Sequence, residues 1–576
     1  MAHFHVKTKK GRPYLYVREI ARVGGRPKVV SQIYLGSPDR LKELAAGARE
    51  PTVTKLRVEE FGALWVAHEM DRGIDLVGIV DSLVPRAKRE VGPTVGEYFL
   101  YCVLNRMIDS RSKNRLSEWY RRTAIQQIRP VVIEELTSER YWEKWDRVSE
   151  SALEKIGRRF FERVWAQEAV KADCLLFDTT NTYTFMASDT ASALTMRGRN
   201  KAGRHQLRQI GLGLLVARES RLPLYYRPYP GNQHDSKLFH AVMDEMFGVV
   251  CGLNDTKQRL TVVIDKGMNA DENFNWIDDH SRLHFVTTYS PYFAQELAAT
   301  PLSKFERVDI DKNQYLIAED KESDCLLAFR TTGEYWGKER AVVVTHNPRT
   351  ARKKNYTLDT KLETVRKQLL EMRSKVNHKE THWRKQESVI ERYHRLCGRL
   401  HVPAGLFKLV FKSSKRAGLR MSFKKDAHQV SKMKAALGRN IIITDNADWS
   451  TAEIVQASLD RWKVEDAFRL SNDDDLVSIR PVRHWTDSKI RCHLFSCVVA
   501  LTYLRRLEIR LRQRGIERSA ASVMEEMKHL HSVLSLTDKR RTAQRTLEVP
   551  TEPQRAVLSA LGHQIDPSGV LRPQSA

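Results

Sequence analysis

The sequence predicts an α/β protein: a mixed-sheet core interrupted by an α+β insertion and preceded by a β-hairpin and a helical region. Three observations carry that prediction. Cys174-Leu175-Leu176-Phe177 and Leu260-Thr261-Val262-Val263-Ile264 are short, continuous apolar runs, as expected of strands buried on both faces, and each ends in an acid, Asp178 and Asp265. Between and after them, helical patterns alternate with further β-rich runs. The stretch from about Ser290 to Arg439 then breaks the alternation, before Asn440-Ile441-Ile442-Ile443-Thr444 resumes it.

Composition limits the classes of function. At 576 residues the chain is too long for one ordinary core. Its 41% hydrophobic and 29% charged content describes a globular protein and excludes a disordered one. Lys and Arg outnumber Asp and Glu, 97 to 71, for a net charge of +26 spread along the chain. The expected partner is therefore a large polyanion, nucleic acid before membrane, because no long basic amphipathic helix is present. Seven scattered cysteines without CxxC spacing predict neither disulfides nor zinc. Met1–Lys10 lacks the apolar segment of a signal peptide, and Leu494–Leu504 is too short to span a bilayer. The expected location is the cytoplasm.

In order, residues 1–50 read as a small β unit, Tyr14–Ile20 and Val29–Leu35 joined at Gly24-Gly25. It is either a packing module or a basic DNA-contacting ribbon. Residues 51–168 read as a helical region. There Arg111, Lys113, Arg115, Arg121 and Arg122 surround Trp119 and Tyr120, either a solvated charged face or a phosphate-and-stacking surface. Residues 169–290 and 440–510 form the core. It holds strands at Ile210–Val216, Leu222–Tyr229 and Leu283–Thr287, and a helix from about Ser236 to Met246. Residues 291–439 are the insertion, with an amphipathic helix through Leu358, Leu362, Val365, Leu369 and Met372. Its basic hairpin joins Phe407–Phe411 to Leu419–Phe423. Residues 511–576 read as a C-terminal helix and a peripheral tail.

Ser450 with Glu453 starts a helix by a capping box, and the pattern runs to about Asn472. Glu465 shares a stripe with Ile454, Ser458, Arg461, Phe468 and Asn472 among apolar neighbours. Alone, Arg461 and Glu465 read as an intrahelical pair worth a few tenths of a kcal/mol. Two strand-end aspartates change the balance, because ligands gather at the carboxyl ends of strands in α/β sheets. Carboxylates brought together there repel unless a cation neutralises them, and a hard divalent metal suits oxygen donors.

The order strand–Asp178, two strands, helix, strand–Asp265, helix, strand, insertion, helix–Glu465 resembles the ribonuclease-H-like fold of DDE transposases. Within them it resembles the IS4 type and its IS1634-related group. The matching stretches are Asp178-Thr179-Thr180-Asn181, Gly231-Asn232 with Asp235-Ser236, Ile264-Asp265-Lys266-Gly267-Met268 and Arg461 to Arg469. Arg480-Pro481-Val482-Arg483-His484-Trp485, Ile490 and His493-Leu494-Phe495 also match. The resemblance implies an insertion-sequence transposase that cuts and joins DNA at terminal inverted repeats. It implies Asp178, Asp265 and Glu465 as ligands of two Mg²⁺ ions, with Mn²⁺ as a substitute, and Arg461 beside them. It further implies a homodimer on paired DNA ends, in a bacterial cytoplasm and on the nucleoid when DNA-bound.

The IS4 signature places Tyr, Arg, Glu and Lys where this chain has Ser458, Arg461, Glu465 and Asn472. By the resemblance, loss of the Tyr and Lys weakens the expected grip on end phosphates, and neighbouring Arg469 is the residue expected to replace the charge lost with the Lys. His484, beside a family-like motif, is the remaining expected DNA contact, whereas Asp473-Asp474-Asp475 reads as a solvated turn. The rival readings are a domesticated or inactive DNA-binding protein on the same fold, and a ribonuclease-H-like nuclease without strand transfer.

Overall fold

The two apolar runs that lead to Asp178 and Asp265 are neighbouring parallel strands of one large mixed sheet. The computed structural model describes residues 2–47, 53–169, 171, 173–198, 203–233, 239, 242–245, 259–414, 418–538 and 542–574. The expected helix from Ser236 and the residues His234, Asp235 and Ser236 fall largely or wholly outside them.

β1 (Cys174–Thr184), β2 (Arg208–Ala217) and β3 (Pro223–Pro230) form an antiparallel meander. β4 (Leu260–Ile264) and β5 (Leu283–Tyr289) run parallel to β1, joined by α1 (Asp271–Asp278). The order here is β3-β2-β1-β4-β5. All five residues of β4 are buried, which explains their unbroken apolar and β-branched character.

The inserted region supplies much of the rest of the sheet. β6 (Leu327–Tyr335) and β7 (Lys338–His346) are a hairpin, followed by the long helix α2 (Pro348–Asn377) and by α3 (Gln386–Leu400). A second hairpin, β8 (Phe407–Ser414) with β9 (Gly418–Lys425), precedes β10 (Arg439–Thr444), which slots antiparallel between β5 and β7. With Met196–Arg197 and Glu306–Arg307 the sheet has ten strands among the described residues. So the insertion is not wholly separate: residues 327–346 belong to the main sheet. The part with its own core begins at α2, where Leu358, Leu362, Val365 and Leu369 pack with Val389 and Tyr393 of α3 and Met421 of β9.

After β10 come α4 (Thr451–Leu459), α5 (Trp462–Ser471) and α6 (Asp487–Arg512). α6 is buried on almost every side, and its buried arginines are paired: Arg505 with Asp466 and Glu508 at 2.6 and 2.7 Å, Arg506 with Glu168 at 2.8 Å. No described helix is long and apolar enough to cross a membrane. Trp119 and Tyr120 are core residues and Lys113 is buried, so the basic-aromatic cluster is not a stacking surface.

These elements lie in a unit made of residues 64–121 and 125–525. The second unit joins residues 1–63, 122–124 and 526–576. It holds a three-stranded meander, Ala2–Lys9, Arg12–Val23 and Arg26–Gly36, where a two-stranded hairpin was expected. The extra strand turns at Lys10-Gly11, both at positive φ, as are Gly24 and Gly25 in the next turn. Val53–Glu60, expected to be helical, is a strand paired with His531–Thr537, which pairs in turn with Gln544–Leu547. The helix Glu552–Ala560 and a hairpin, His563–Ile565 with Leu571–Pro573, follow. The C-terminal residues are thus a folded module and not a peripheral tail.

Candidate active site

Asp178 is not at a strand end. β1 continues to Thr184, fully paired with β2, and Asp178 faces Leu214. What ends beforehand is the pairing with β4, whose last match is Leu176 with Val263. Two residues further along each chain stand Asp178 and Asp265, level in the parallel register just past that last pairing. Phe177 and Thr179 on either side are buried and Asp178 is half-buried, its Oδ1 accepting from the N–H of Thr179 at 2.8 Å.

Asp265 begins the single turn Lys266–Met268 and accepts from the N–H of Gly267 at 3.3 Å. That turn is anchored to β5 by Asn269, whose side chain accepts from Thr287 Oγ1 at 2.7 Å and donates to Thr288 O at 3.0 Å. Asn269 went unnoticed in the sequence; its position four residues after Asp265 is the only signal it leaves.

The expected single helix from Ser450 to Asn472 is two helices. The capping box is present, Ser450 Oγ accepting from Glu453 N–H and Glu453 from Ser450 N–H, worth about 1 kcal/mol. At Asp460 and Arg461 the chain stays right-handed, but Lys463 N–H reaches only to Asp460 O and Val464 N–H to Arg461 O. Those tighter three-residue bonds break the α-helix and restart it. Asp460 is the fastener: it is buried and bonds Arg218 at 2.7 Å, Gln456 at 2.9 Å and Lys463 at 3.3 Å. Removing one partner of such a buried pair costs about 3–5 kcal/mol. α5 then packs against β1.

The break places Arg461 between two acids. Its Nη1 lies 2.5 Å from Asp265 Oδ1, and its Nη2 lies 2.9 Å from Glu465 Oε1. The expected Arg461–Glu465 pair is present, and a link to the β4 acid is added to it. Glu465 is 53% exposed, more open than its apolar neighbours suggested. Among the described residues no three His, Cys, Asp or Glu side chains are grouped to hold a metal ion; the guanidinium stands between Asp265 and Glu465. The donor chemistry nevertheless fits a hard divalent cation, since the acids offer only carboxylate oxygens and two of them already share one positive charge.

The other expected contacts separate. Ser458 is half-buried on α4. Arg469 is 84% exposed and pairs with Asp466. Asn472 caps its own helix, donating through Nδ2 to Phe468 O at 2.8 Å. His484 is 8% exposed, with its ring 5.6 Å from Trp145 and 5.1 Å from His493, so it is a core residue and not a DNA contact. Burial, then Lys113 and Arg106, hold His484 well below the usual imidazole range. Asp473–Asp475 form an exposed turn in which Asp473 accepts from the N–H groups of Asp475 and Leu476.

Among curated proteins none matches the chain. A solved piggyBac transposase synaptic complex with hairpin DNA is similar at a TM-score of 0.37 and 9% identity, over 81% of this chain and 78% of that one. At that distance it supports no inference here. Residues 173–503, which run from the start of β1 into α6 and contain Asp178, Asp265, Arg461 and Glu465, match the transposase DDE domain family. The chain belongs to that family.

Proposed function

We propose that the protein is an insertion-sequence transposase of the IS4 type, in its IS1634-related group, on a ribonuclease-H-like fold. It cuts DNA at the element's inverted repeats and joins the ends to target DNA. The observation that carries this reading is the meeting of three chain segments: Asp178 and Asp265 level on adjacent parallel strands, and Glu465 tied to Asp265 through Arg461. The β3-β2-β1-β4-β5 order supports the fold assignment.

Asp178, Asp265 and Glu465 would hold Mg²⁺, which supplies an activated oxygen nucleophile and neutralises charge on the phosphodiester. The chain's own residues do the positioning. β1 and β4 fix the first two acids on a buried sheet, and α5 brings the third. Arg461 offers a planar fork of N–H donors suited to phosphate oxygens, so an incoming phosphate competes with Asp265 and Glu465 for it. A homodimer on paired ends, in the bacterial cytoplasm and on the nucleoid, completes the proposal.

The test mixes protein, end-containing duplex and Mg²⁺ and resolves cleaved and joined products. Wild type yields both and Asp178→Asn yields neither; full end cleavage by Asp178→Asn overturns the assignment. Asn472, spent on its own helix, favours one second reading: a DNA-binding protein that no longer catalyses. End binding by wild type without any product would select it.

A further inference from the structure

The N-terminal meander has two chemically different faces, and the strand register sorts them. In the middle strand Arg12, Tyr14, Tyr16 and Arg18 point one way. Opposite Arg12 and Tyr14 on the first strand stand Lys9 and Lys7, and opposite Tyr16 on the third stands Tyr34. The three tyrosines cluster, with Tyr34 centred 6.1 Å from Tyr14 and 5.1 Å from Tyr16. Arg18 is held along this face by a 2.6 Å bond to Gln32. Burial, then the charges of Arg18, His3 and Lys7, lower the pKa of His5, as expected on a positive face.

The reverse face carries Phe4, Val6 and Ile33, and with them Glu19, the only acid in residues 2–36. Lys7, Lys9 and Arg12 are exposed, and Lys9 lies directly across from Arg12, a pairing that destabilises an isolated sheet. A concentrated positive face with central aromatics and no acid calls for a polyanion. The outer axes of three strands lie about 10 Å apart, so the face matches the roughly 12 Å major groove of B-form DNA in scale, whereas the major groove of RNA is deep and narrow.

We propose that the Lys7/Lys9/Arg12/Arg18 face of the N-terminal meander docks in the major groove of duplex DNA, with Tyr14, Tyr16 and Tyr34 against the groove. This face is independent of the acids, so its test uses the full chain carrying Asp178→Asn, without divalent ions. Binding of a mixed-sequence DNA duplex is followed by fluorescence anisotropy across a salt series. Lys9→Glu with Arg12→Glu should weaken binding at least about tenfold and lower the log–log salt slope by about two. Arg26→Glu with Lys28→Glu, an equal charge change on the reverse face, should stay within about twofold of the parent. The neutral pair Lys9→Gln with Arg12→Gln should give a smaller loss of the same sign, which guards against a folding defect in the reversal. Equal losses from both faces, no loss from Lys9 and Arg12, or equal affinity for the corresponding RNA duplex would each overturn the proposal.

Discussion

Arg461 and Glu465 were legible as a pair because four residues on a helix are neighbours whatever the fold. The partnership of Arg461 with Asp265 was not, since it depends on a helix break and on β4 lying beside β1. Asp178 was readable as a buried strand's acid, yet its placement within the strand was hidden, because β1 goes on pairing with β2 after β4 has stopped. Glu465→Ala should abolish cleavage, a loss of at least about a thousandfold, while leaving end binding within about twofold. Cleavage assays and gel-shift titrations on the same preparation check it. Arg461→Lys keeps the charge but loses the fork that spans both acids. It should lower cleavage by about ten- to a hundredfold, and wild-type rates would show that bridging is dispensable.

Elements were most legible where burial is uniform. β4 is found at the residues its apolar run marks out. The series Leu358 to Met372 lies on one buried face of α2. Misreadings arose where a short motif has two homes. Lys113, Trp119 and Tyr120 of the basic run and Val482 and His484 of the family-like run are buried in the core, while the arginines beside them stay exposed. That core carries a pH prediction. His484 and His493 are held well below the ordinary 6.5, each by burial first and then by Lys113 and Arg106. Unfolded, both bind protons below about pH 6.5; folded, they resist until much lower pH. The unfolded state therefore gains protons first, and stability, complete above 6.5, falls as pH drops through and below it. Thermal unfolding at pH 5.5 should begin well below that at pH 7.5, and His484→Gln should reduce the difference. A flat profile between those values would count against a buried neutral pair.

At the scale of the molecule, the sequence conveyed a core, an insertion and a basic balance, but not the pairing of distant segments. Nothing local in Val53–Glu60 announces that its partner is His531–Thr537, since β pairing is decided by whichever edges meet. This pairing also sets a timetable. A ribosome delivers every residue from 64 to 525 before the partner of Val53–Glu60 exists, so that strand waits as an unpaired edge while they are made. Its unit is completed only after the other one has been made through residue 525. A chain stopped after Glu525 should keep slow amide exchange in β4 while residues 53–60 exchange freely, and it should self-associate through that edge; hydrogen exchange and size-exclusion chromatography would show both. Only chains that extend through His531–Thr537 would then close both units, and chains that stop before it would carry an open edge that marks them for aggregation or proteolysis.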